Sequence, residues 1–257
     1  MQIAIVAYPG LTALDIIGPY EVLRCIPGAE IRFVWTEPGP IVADSGVLAL
    51  GATHSLDETP APDMVLIGGS GTATAVTAKN EQLLAWLRKV HQTSQWTVSV
   101  CTGSIILASA GLLKGKPATT HWASLQLLEG LGAQPVGDQR IVHTGKIVTG
   151  AGVSAGIDVA LWLVGQIAGD ETAKAAQLMI EYDPQPPYDS GSTEKADAAT
   201  KRALAKLLGR GLGEVAANEP GSLLREAGGT AQLAWKTAAQ KARRRRFGVL
   251  GLRGRAT

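Results

Sequence analysis

The stretch that decides the fold is Thr97–Leu113, "TVSVCTGSIILASAGLL". It opens with an apolar run that predicts a buried strand over residues 96–100. After Cys101, the apolar spacing of "GSIILASAGLL" predicts a helix that ends at Gly111. Cys101 therefore lies on a turn between a strand and a helix, the position of a nucleophile elbow, where Gly103 relieves steric crowding.

The same alternation of strands and helices continues on both sides of this stretch. The predicted strands cover residues 2–7, 29–37, 61–67 and 96–100, with a hairpin over 141–148 that turns at Thr144-Gly145. The predicted helices cover about Pro19–Arg24, 80–92 with Asn80 as N-cap, 103–111, 154–169 with Ser154 as cap, and 170–183. Such alternation indicates an α/β protein, a three-layer α/β/α sandwich with a mostly parallel sheet.

Composition narrows the class of protein further. Hydrophobic residues make up 46% of the chain, enough for a sizeable core. No run of about 18 apolar residues appears, so we expect no membrane span. The start, "MQIAIVAYPG", is typical of a first strand rather than a signal peptide. With only two cysteines, Cys25 and Cys101, no disulfide framework is implied, and the sequence favours a cytoplasmic protein.

Charge divides the chain into two parts. Residues 1–200 hold 11 Lys and Arg against 19 Asp and Glu, a net charge of −8. Residues 201–257 hold 13 against 3, a net charge of +10, with the extreme at "KARRRR", Lys241–Arg246. We therefore predict a catalytic domain over residues 1–199 and a basic C-terminal extension over 200–257, partly helical or disordered.

Three strand ends converge on one edge of the predicted sheet. In open α/β sheets, ligands bind beyond the carboxyl ends of the strands. Residues 8–15, 68–71 and 100–103 follow such ends. A thiol at Cys101 is expected to point toward solvent near the amides of a helix start, which stabilise a thiolate and lower its pKa.

Two further features at this edge are candidates for the same site. The glycine-rich "IGGSG" brings backbone amides near Cys101, and Gly69 and Ser70 are candidates for an oxyanion cradle. Asp15 is the nearest carboxylate along the chain, and it can hydrogen-bond the thiol or pass a proton to a substrate. No metal-ligand spacing such as H-x-x-x-H or C-x-x-C occurs, so no metal site is expected.

The residue pattern alone leaves structural interpretations open. A single cysteine after a strand is more often a small buried hydrophobe than a nucleophile. Asp15 is also placed to cap a helix beginning near Ile16, and Thr102 to satisfy a local backbone group.

Five stretches together resemble the ThiJ/PfpI superfamily, and most closely its isonitrile hydratase (isocyanide hydratase) branch. They are "YPGLTALDIIGPYEVL", "DMVLIGGSG", "VSVCTGSIILASAGLLKGKPATTHW", "IVTGAGVSAGIDVALWLV" and "QLMIEYDPQPPYDSGS". The resemblance runs from Met1 to about Ala199 in the order of the family's motifs. It implies a flavodoxin-like sandwich, usually a homodimer, that needs no metal or organic cofactor.

The resemblance also implies roles for individual residues. Cys101 matches the family's nucleophile and Asp15 its general acid/base partner. Thr102 matches the residue whose hydroxyl and amide help to form the site, and Gly69 and Ser70 match the loop positions whose amides lie near the nucleophile. The implied reaction hydrates an isonitrile to an N-substituted formamide, with water as co-substrate, through a thioimidate on Cys101.

Other branches of the superfamily fit less well. Peptidase-like members carry histidine after the cysteine, whereas this chain has Thr102, so protease activity is not expected. Deglycase and glyoxalase-type members pair the cysteine with glutamate rather than with a residue like Asp15. Activity on α-oxoaldehydes nevertheless remains the alternative enzymatic function.

A ligand-sensing domain of a transcription regulator is the non-enzymatic alternative. Because only about 50 residues follow the domain and "NEPGSLLREAGGTAQLAW" shows no two-helix recognition unit, we do not expect nucleic acid as a partner, although this tail is basic.

Overall fold

A computed structural model describes residues 1–207 of the 257-residue chain. Eleven strands are described: β1 Gln2–Val6, β2 Glu30–Trp35, β3 Gly39–Val42, β4 Ala49–Ala52, β5 His54–Ser55, β6 Met64–Ile67, β7 Trp96–Ser99, β8 Pro117–Ala118, β9 Gln134–Pro135, β10 Ile141–Thr144 and β11 Ile147–Gly150. Seven α-helices are bounded: α1 Leu14–Leu23, α2 Thr74–Thr77, α3 Glu81–Thr93, α4 Gly103–Ser109, α5 Leu125–Gly130, α6 Ala155–Ala168 and α7 Asp170–Met179. A 3-10 turn covers Trp122–Ser124.

The central sheet has seven strands in the order β10-β11-β7-β6-β1-β2-β5. All its pairings are parallel except β10 with β11, which form the predicted hairpin. One group of helices is formed by α1, α6 and α7, and the other by α4 with α2, α3 and α5. The three-layer α/β/α sandwich is thus confirmed. The fully buried side chains of β1 and β6 lie at its centre, as expected of parallel strands covered on both faces.

The first helix differs from its prediction. We expected it at about Pro19–Arg24, after the helix-breaking Gly18-Pro19 pair, but α1 begins at Leu14 and contains that pair. The reason is tertiary packing against α6. A Cβ on Gly156 would lie 2.9 Å from Pro19 Cγ, so the two helices pack too closely there for a side chain. Burial against α6 therefore outweighs the cost of a proline inside α1.

The two predicted N-caps have different outcomes. Asn80 caps α3 as expected, because its side chain accepts a hydrogen bond of 3.0 Å from the Leu83 amide. Ser154 occupies the N-cap position of α6 but its side chain makes no capping hydrogen bond. Its hydroxyl instead accepts a hydrogen bond from Arg140, which also pairs with Asp158 of α6.

Two small elements were not predicted. The hairpin of β3 and β4 forms a separate two-stranded sheet, and β8 pairs with β9 in another. Their strands are two to four residues long and contain proline or glycine, so they lack the alternating apolar pattern that marks a strand in a sequence. The β3–β4 hairpin lies close to the candidate site described below.

The predicted domain boundary falls inside a helical stretch that begins at residue 198 and extends to 207, the last residue described. The remainder of the predicted basic extension, including Arg243–Arg246, lies outside the described residues. Within residues 1–207, no helix is both long enough and apolar enough to cross a membrane.

Candidate active site

The turn that carries Cys101 is an elbow of the predicted kind. Cys101 has φ of 56°, a left-handed conformation that is uncommon for a residue with a side chain. Its amide donates to the carbonyls of Gly150 (3.2 Å) and Ala151 (2.8 Å). Its carbonyl accepts from the hydroxyls of Thr120 (3.0 Å) and Ser104 (3.2 Å). These four contacts hold the strained residue in place between β7 and α4.

The environment of the thiol differs from our prediction. Only 5% of Cys101 is exposed, so the thiol does not point into solvent. Burial, together with the nearby charge of Asp15, raises its pKa to about 12. The contact with Thr102, amide and hydroxyl, acts in the opposite direction but is weaker. The prediction of a lowered pKa was therefore wrong, because desolvation exceeds the effect of the helix-start amides.

Asp15 faces Cys101 from the first turn of α1. Its side chain is fully buried, and burial raises its pKa from 3.8 to about 7. The Gly69 amide donates to Oδ2 at 2.6 Å and opposes that rise, as does the Cys101 thiol. Oδ1 is buried and has no hydrogen-bond partner among the described residues. The structure thus brings the two predicted catalytic side chains together, with one carboxyl oxygen uncommitted.

The glycine loop, residues 68–71, can approach both Asp15 and Cys101 because positions 68 and 69 carry no side chain. A Cβ on Gly68 would lie 2.7 Å from the Asp15 Cβ. A Cβ on Gly69 would overlap the hydroxyl of Thr102 and lie 2.5 Å from its amide. A side chain at either position would therefore separate Asp15 from the elbow.

The amides of this loop already have partners inside the protein. The Gly69 amide donates to Asp15, and the Ser70 amide donates to the hydroxyls of Thr74 (2.9 Å) and Thr102 (3.0 Å). In this geometry neither amide is free to bind an oxyanion. Gly69 and Ser70 instead position Asp15 and Thr102, so the structure gives no support for the predicted oxyanion cradle.

Thr102 belongs to a hydroxyl network that sequence reasoning missed. Its hydroxyl lies 2.8 Å from that of Thr74 and donates to the Ser70 carbonyl at 3.0 Å. Tyr8 completes the network: its buried hydroxyl donates to the Gly68 carbonyl at 3.2 Å and lies 3.5 Å from the Thr74 hydroxyl. Tyr8 begins the "YPG" motif, and this motif could have indicated Tyr8 as a site residue from the sequence. Nothing in the local sequence distinguishes Thr74.

Metal binding finds no support in the described part of the chain. Within residues 1–207, no three His, Cys, Asp or Glu side chains are grouped so that they could hold a metal ion. Cys25 and Cys101 are both free thiols.

An elbow cysteine that faces a carboxylate at the edge of a parallel sheet is matched by a known family. The DJ-1/PfpI family model matches residues 1–166, which include every residue of this site. The chain belongs to the DJ-1/PfpI family. This result confirms the resemblance to the ThiJ/PfpI superfamily and its flavodoxin-like fold.

Relatives within the DJ-1/PfpI family include an enzyme and a regulator. The chain is 41% identical to isonitrile hydratase of Pseudomonas putida over 213 residues, which cover 80% of this chain and 92% of that enzyme. It is 29% identical to the HTH-type transcriptional regulator CdhR of Pseudomonas aeruginosa, of which it covers 50%. Among solved structures, this chain is similar to a ThiJ/PfpI family protein from Pseudomonas syringae, with a TM-score of 0.76 and 36% sequence identity. The match covers 81% of this chain and 86% of the Pseudomonas syringae chain.

Proposed function

We propose that this protein is an isonitrile hydratase, a lyase that adds water to an isonitrile and releases an N-substituted formamide. The observation that carries the proposal is the buried pair of Cys101 and Asp15, in which a thiol faces a carboxyl group whose pKa is raised to about 7 and which can therefore act as its base. The similarity to isonitrile hydratase over most of both chains supports the same reaction class.

The pair holds one shared proton over a wide pH range. The pKa of Asp15 is raised to about 7 and that of Cys101 to about 12, so between these values the two groups together carry a single proton. That proton rests mainly on sulfur. Asp15, as a carboxylate, is therefore the base that removes it when the thiol reacts, and becomes the acid that returns it.

The first step is the addition of the thiol to the substrate. For an isonitrile R–N≡C, sulfur forms a bond to the terminal carbon while Asp15 accepts the thiol proton. Asp15 then delivers that proton to the same carbon, and the product is a thioimidate, R–N=CH–S–Cys101. Atoms and charge balance because S–H has been added across one carbon, and Asp15 ends the step as a carboxylate.

The second step is hydrolysis of the thioimidate. Asp15 accepts a proton from water as the water oxygen attacks the thioimidate carbon, and it passes that proton to nitrogen to give R–NH–CH(OH)–S–Cys101. As this adduct collapses the C–S bond breaks, Asp15 carries the hydroxyl proton to the leaving sulfur, and R–NH–CHO is released with Asp15 again a carboxylate. The Thr102 contact that lowers the pKa of Cys101 also stabilises sulfur as it leaves.

Assembly and location are part of the same proposal. We infer a homodimer, supported by the exposed apolar side chains of Leu178, Met179 and Tyr188 near the C-terminal end of the described fold. Sedimentation should then give twice the 26.7 kDa of one chain.

We further infer a cytoplasmic protein, because two free thiols suit a reducing compartment. The reaction as written uses no metal or organic cofactor.

The test is formamide production from cyclohexyl isocyanide. We expect turnover by the wild type and by Cys25→Ala, which changes the other thiol, and none by Cys101→Ala. Asp15→Asn should lose at least about 100-fold in kcat, the usual contribution of a general acid/base. A wild type that leaves the isonitrile unchanged contradicts the proposal. Turnover of methylglyoxal would then favour the α-oxoaldehyde alternative, and binding without turnover the ligand-sensing one.

A further inference from the structure

The β3–β4 hairpin docks on the segment that links β1 to α1. The Gly10 amide donates to the Val42 carbonyl at 2.8 Å, and the Asp44 amide donates to the Leu11 carbonyl at 3.0 Å. These two backbone contacts fix the turn of the hairpin beside the candidate site. Asp44 is the residue at which that turn begins.

A single residue, Thr12, links the Asp44 side chain to Asp15 through hydrogen bonds. Its Oδ2 accepts a hydrogen bond of 2.6 Å from the Thr12 hydroxyl. Thr12 in turn accepts from the Asp15 amide at 3.1 Å and donates to the Gly69 carbonyl at 3.0 Å. Asp44 is exposed, so its carboxylate lies at the solvent edge of the structure that holds Asp15.

Within residues 1–207, no lysine, arginine or histidine forms a salt bridge with Asp44. The groups that act on the pKa of Asp15 are its own burial, the Gly69 amide, the Cys101 thiol and Asp44. Those that act on Cys101 are burial, Asp15 and Thr102. Within residues 1–207, neither set includes a lysine or an arginine. An anionic solute that approaches this edge therefore meets the exposed Asp44 carboxylate, which has no salt-bridge partner among these residues.

We propose that Asp44 is a specificity-determining residue of this site, whose carboxylate repels anionic solutes and restricts the substrates to isonitriles with neutral or cationic substituents. The naming of a substrate class rests on the proposed function. The electrostatic selection at Cys101 does not, because any thiol-directed reagent of the same charge meets the same field.

Selection by charge can be measured with two alkylating reagents of nearly equal size. Iodoacetamide is neutral and iodoacetate is an anion. Each alkylates a thiol, forming an S–C bond as the C–I bond breaks and iodide leaves. The rates of alkylation at Cys101 are followed by mass spectrometry in a Cys25→Ala background. The measured quantity is the ratio of the iodoacetamide rate to the iodoacetate rate, so a change in intrinsic thiol reactivity cancels.

Three variants separate charge from structure. Asp44→Asn removes the charge and keeps an oxygen that accepts from Thr12. Asp57→Asn makes the same change of net charge at an exposed position that, unlike Asp44, is not among the groups that act on the pKa of Asp15. Thr12→Val removes the hydrogen bond and leaves the Asp44 charge.

The expected result is a ratio that falls roughly 3- to 10-fold in Asp44→Asn, as for loss of one nearby charge in a partly solvated setting. It should stay at the wild-type value in Asp57→Asn and Thr12→Val. In 1 M salt, where the Debye length is about 3 Å, wild type and Asp44→Asn should converge. An unchanged ratio in Asp44→Asn overturns the proposal, as does an equal fall in Thr12→Val, which would mean that Asp44 only holds Thr12.

A second arm uses the proposed substrates, methyl isocyanoacetate and the isocyanoacetate anion. The wild type should prefer the neutral ester in kcat/KM, and Asp44→Asn should reduce that preference by a factor similar to the alkylation ratio. If the wild type hydrates neither compound while the alkylation ratio still responds to Asp44→Asn, the proposed function fails and the charge selection stands. If the ester is hydrated and the preference is unchanged in Asp44→Asn, the charge selection fails alone.

Discussion

Asp15 and Cys101 depart from their usual ionisation because both are taken out of water beside each other. Burial raises the pKa of each, and the Asp15 charge further raises that of Cys101, whereas the Cys101 thiol acts to lower that of Asp15. The site therefore keeps a neutral thiol and a titrating carboxyl near pH 7, rather than a resting thiolate. In the proposed mechanism the base that activates the thiol is Asp15, and this assignment leads to a specific pH dependence.

We expect kcat/KM for isonitrile hydration to rise with pH through a midpoint near 7. Below that value Asp15 is protonated and cannot accept the thiol proton, and above it the pair holds its single shared proton until about pH 12. The measurement is the pH profile of kcat/KM between pH 5 and 10. A resting-thiolate mechanism with a protonated acid predicts the opposite slope, so activity that falls through pH 7 would rule out this assignment.

The Asp44 carboxylate also raises the pKa of Asp15. Asp44→Asn should therefore move the midpoint of the same profile to lower pH, while Asp57→Asn should leave it in place. The comparison is made at low ionic strength, where a partly exposed charge is least screened. A midpoint that does not move in Asp44→Asn would show that this charge does not reach the pair.

The buried charge of ionised Asp15 lowers the free energy of unfolding at neutral and alkaline pH. Its pKa is raised from 3.8 to about 7, so its contribution to the free energy of unfolding is fully present below about pH 4 and is lost as pH rises through 7. The loss is on the order of 4 kcal/mol. Asp15→Asn, which stays neutral, should melt several degrees above the wild type at pH 8.5 and close to it at pH 4.5, as calorimetry can determine. An equal difference at both pH values would point to packing instead.

At the scale of elements, the glycine loop joins α1 to the elbow. A Cβ on Gly69 would overlap the Thr102 hydroxyl, whereas a Cβ on Gly71 would have no atom within 4 Å. We expect Gly69→Ala to cost about 1–3 kcal/mol in the free energy of unfolding and to lose activity, because Thr102 and the loop must separate. Gly71→Ala should match the wild type in thermal melting and in turnover. If Gly69→Ala and Gly71→Ala had the same melting temperature and the same turnover, the loop would be able to shift without disturbing Asp15 or Thr102.

Two glycines allow α1 and α6 to pack closely. Gly18 lies in α1 where a Cβ would be 3.0 Å from Ile157, and Gly156 lies in α6 against Pro19. These contacts explain why the local rule that ends a helix at Gly-Pro was wrong here. The rule describes an isolated chain, in which nothing offsets the missing hydrogen bond of proline, whereas α1 buries one face on α6.

At the scale of the whole molecule, the buried core of residues 1–207 ends well before residue 200. Within that range the last residue of the hydrophobic core is Ala176, and nearly all residues from 183 to 207 are exposed. A chain of residues 1–197 should therefore fold with a melting temperature within a few degrees of the full chain and should keep its activity on neutral isonitriles. Loss of folding or of activity in this shorter chain would show that the extension belongs to the catalytic unit.

The sequence by itself determined the layers of the fold and the identity of the central pair. Buried parallel strands and amphipathic helices are encoded in short apolar patterns, so the sandwich and the elbow at Cys101 follow from the residues alone. The resemblance to a family singled out Asp15. Both conclusions depend on local pattern or on motif identity, which a single sequence carries.

Only the tertiary structure decided the protonation of that pair and the partners of the loop amides. Whether a thiol is buried, whether the Gly69 amide is free, and whether Asp44 lies beside Thr12 all depend on residues far apart in the chain. Desolvation and through-space charge are properties of the packed molecule, so no local pattern reports them. For the same reason the thiol, expected from its turn to be acidic, has a raised pKa in the folded protein.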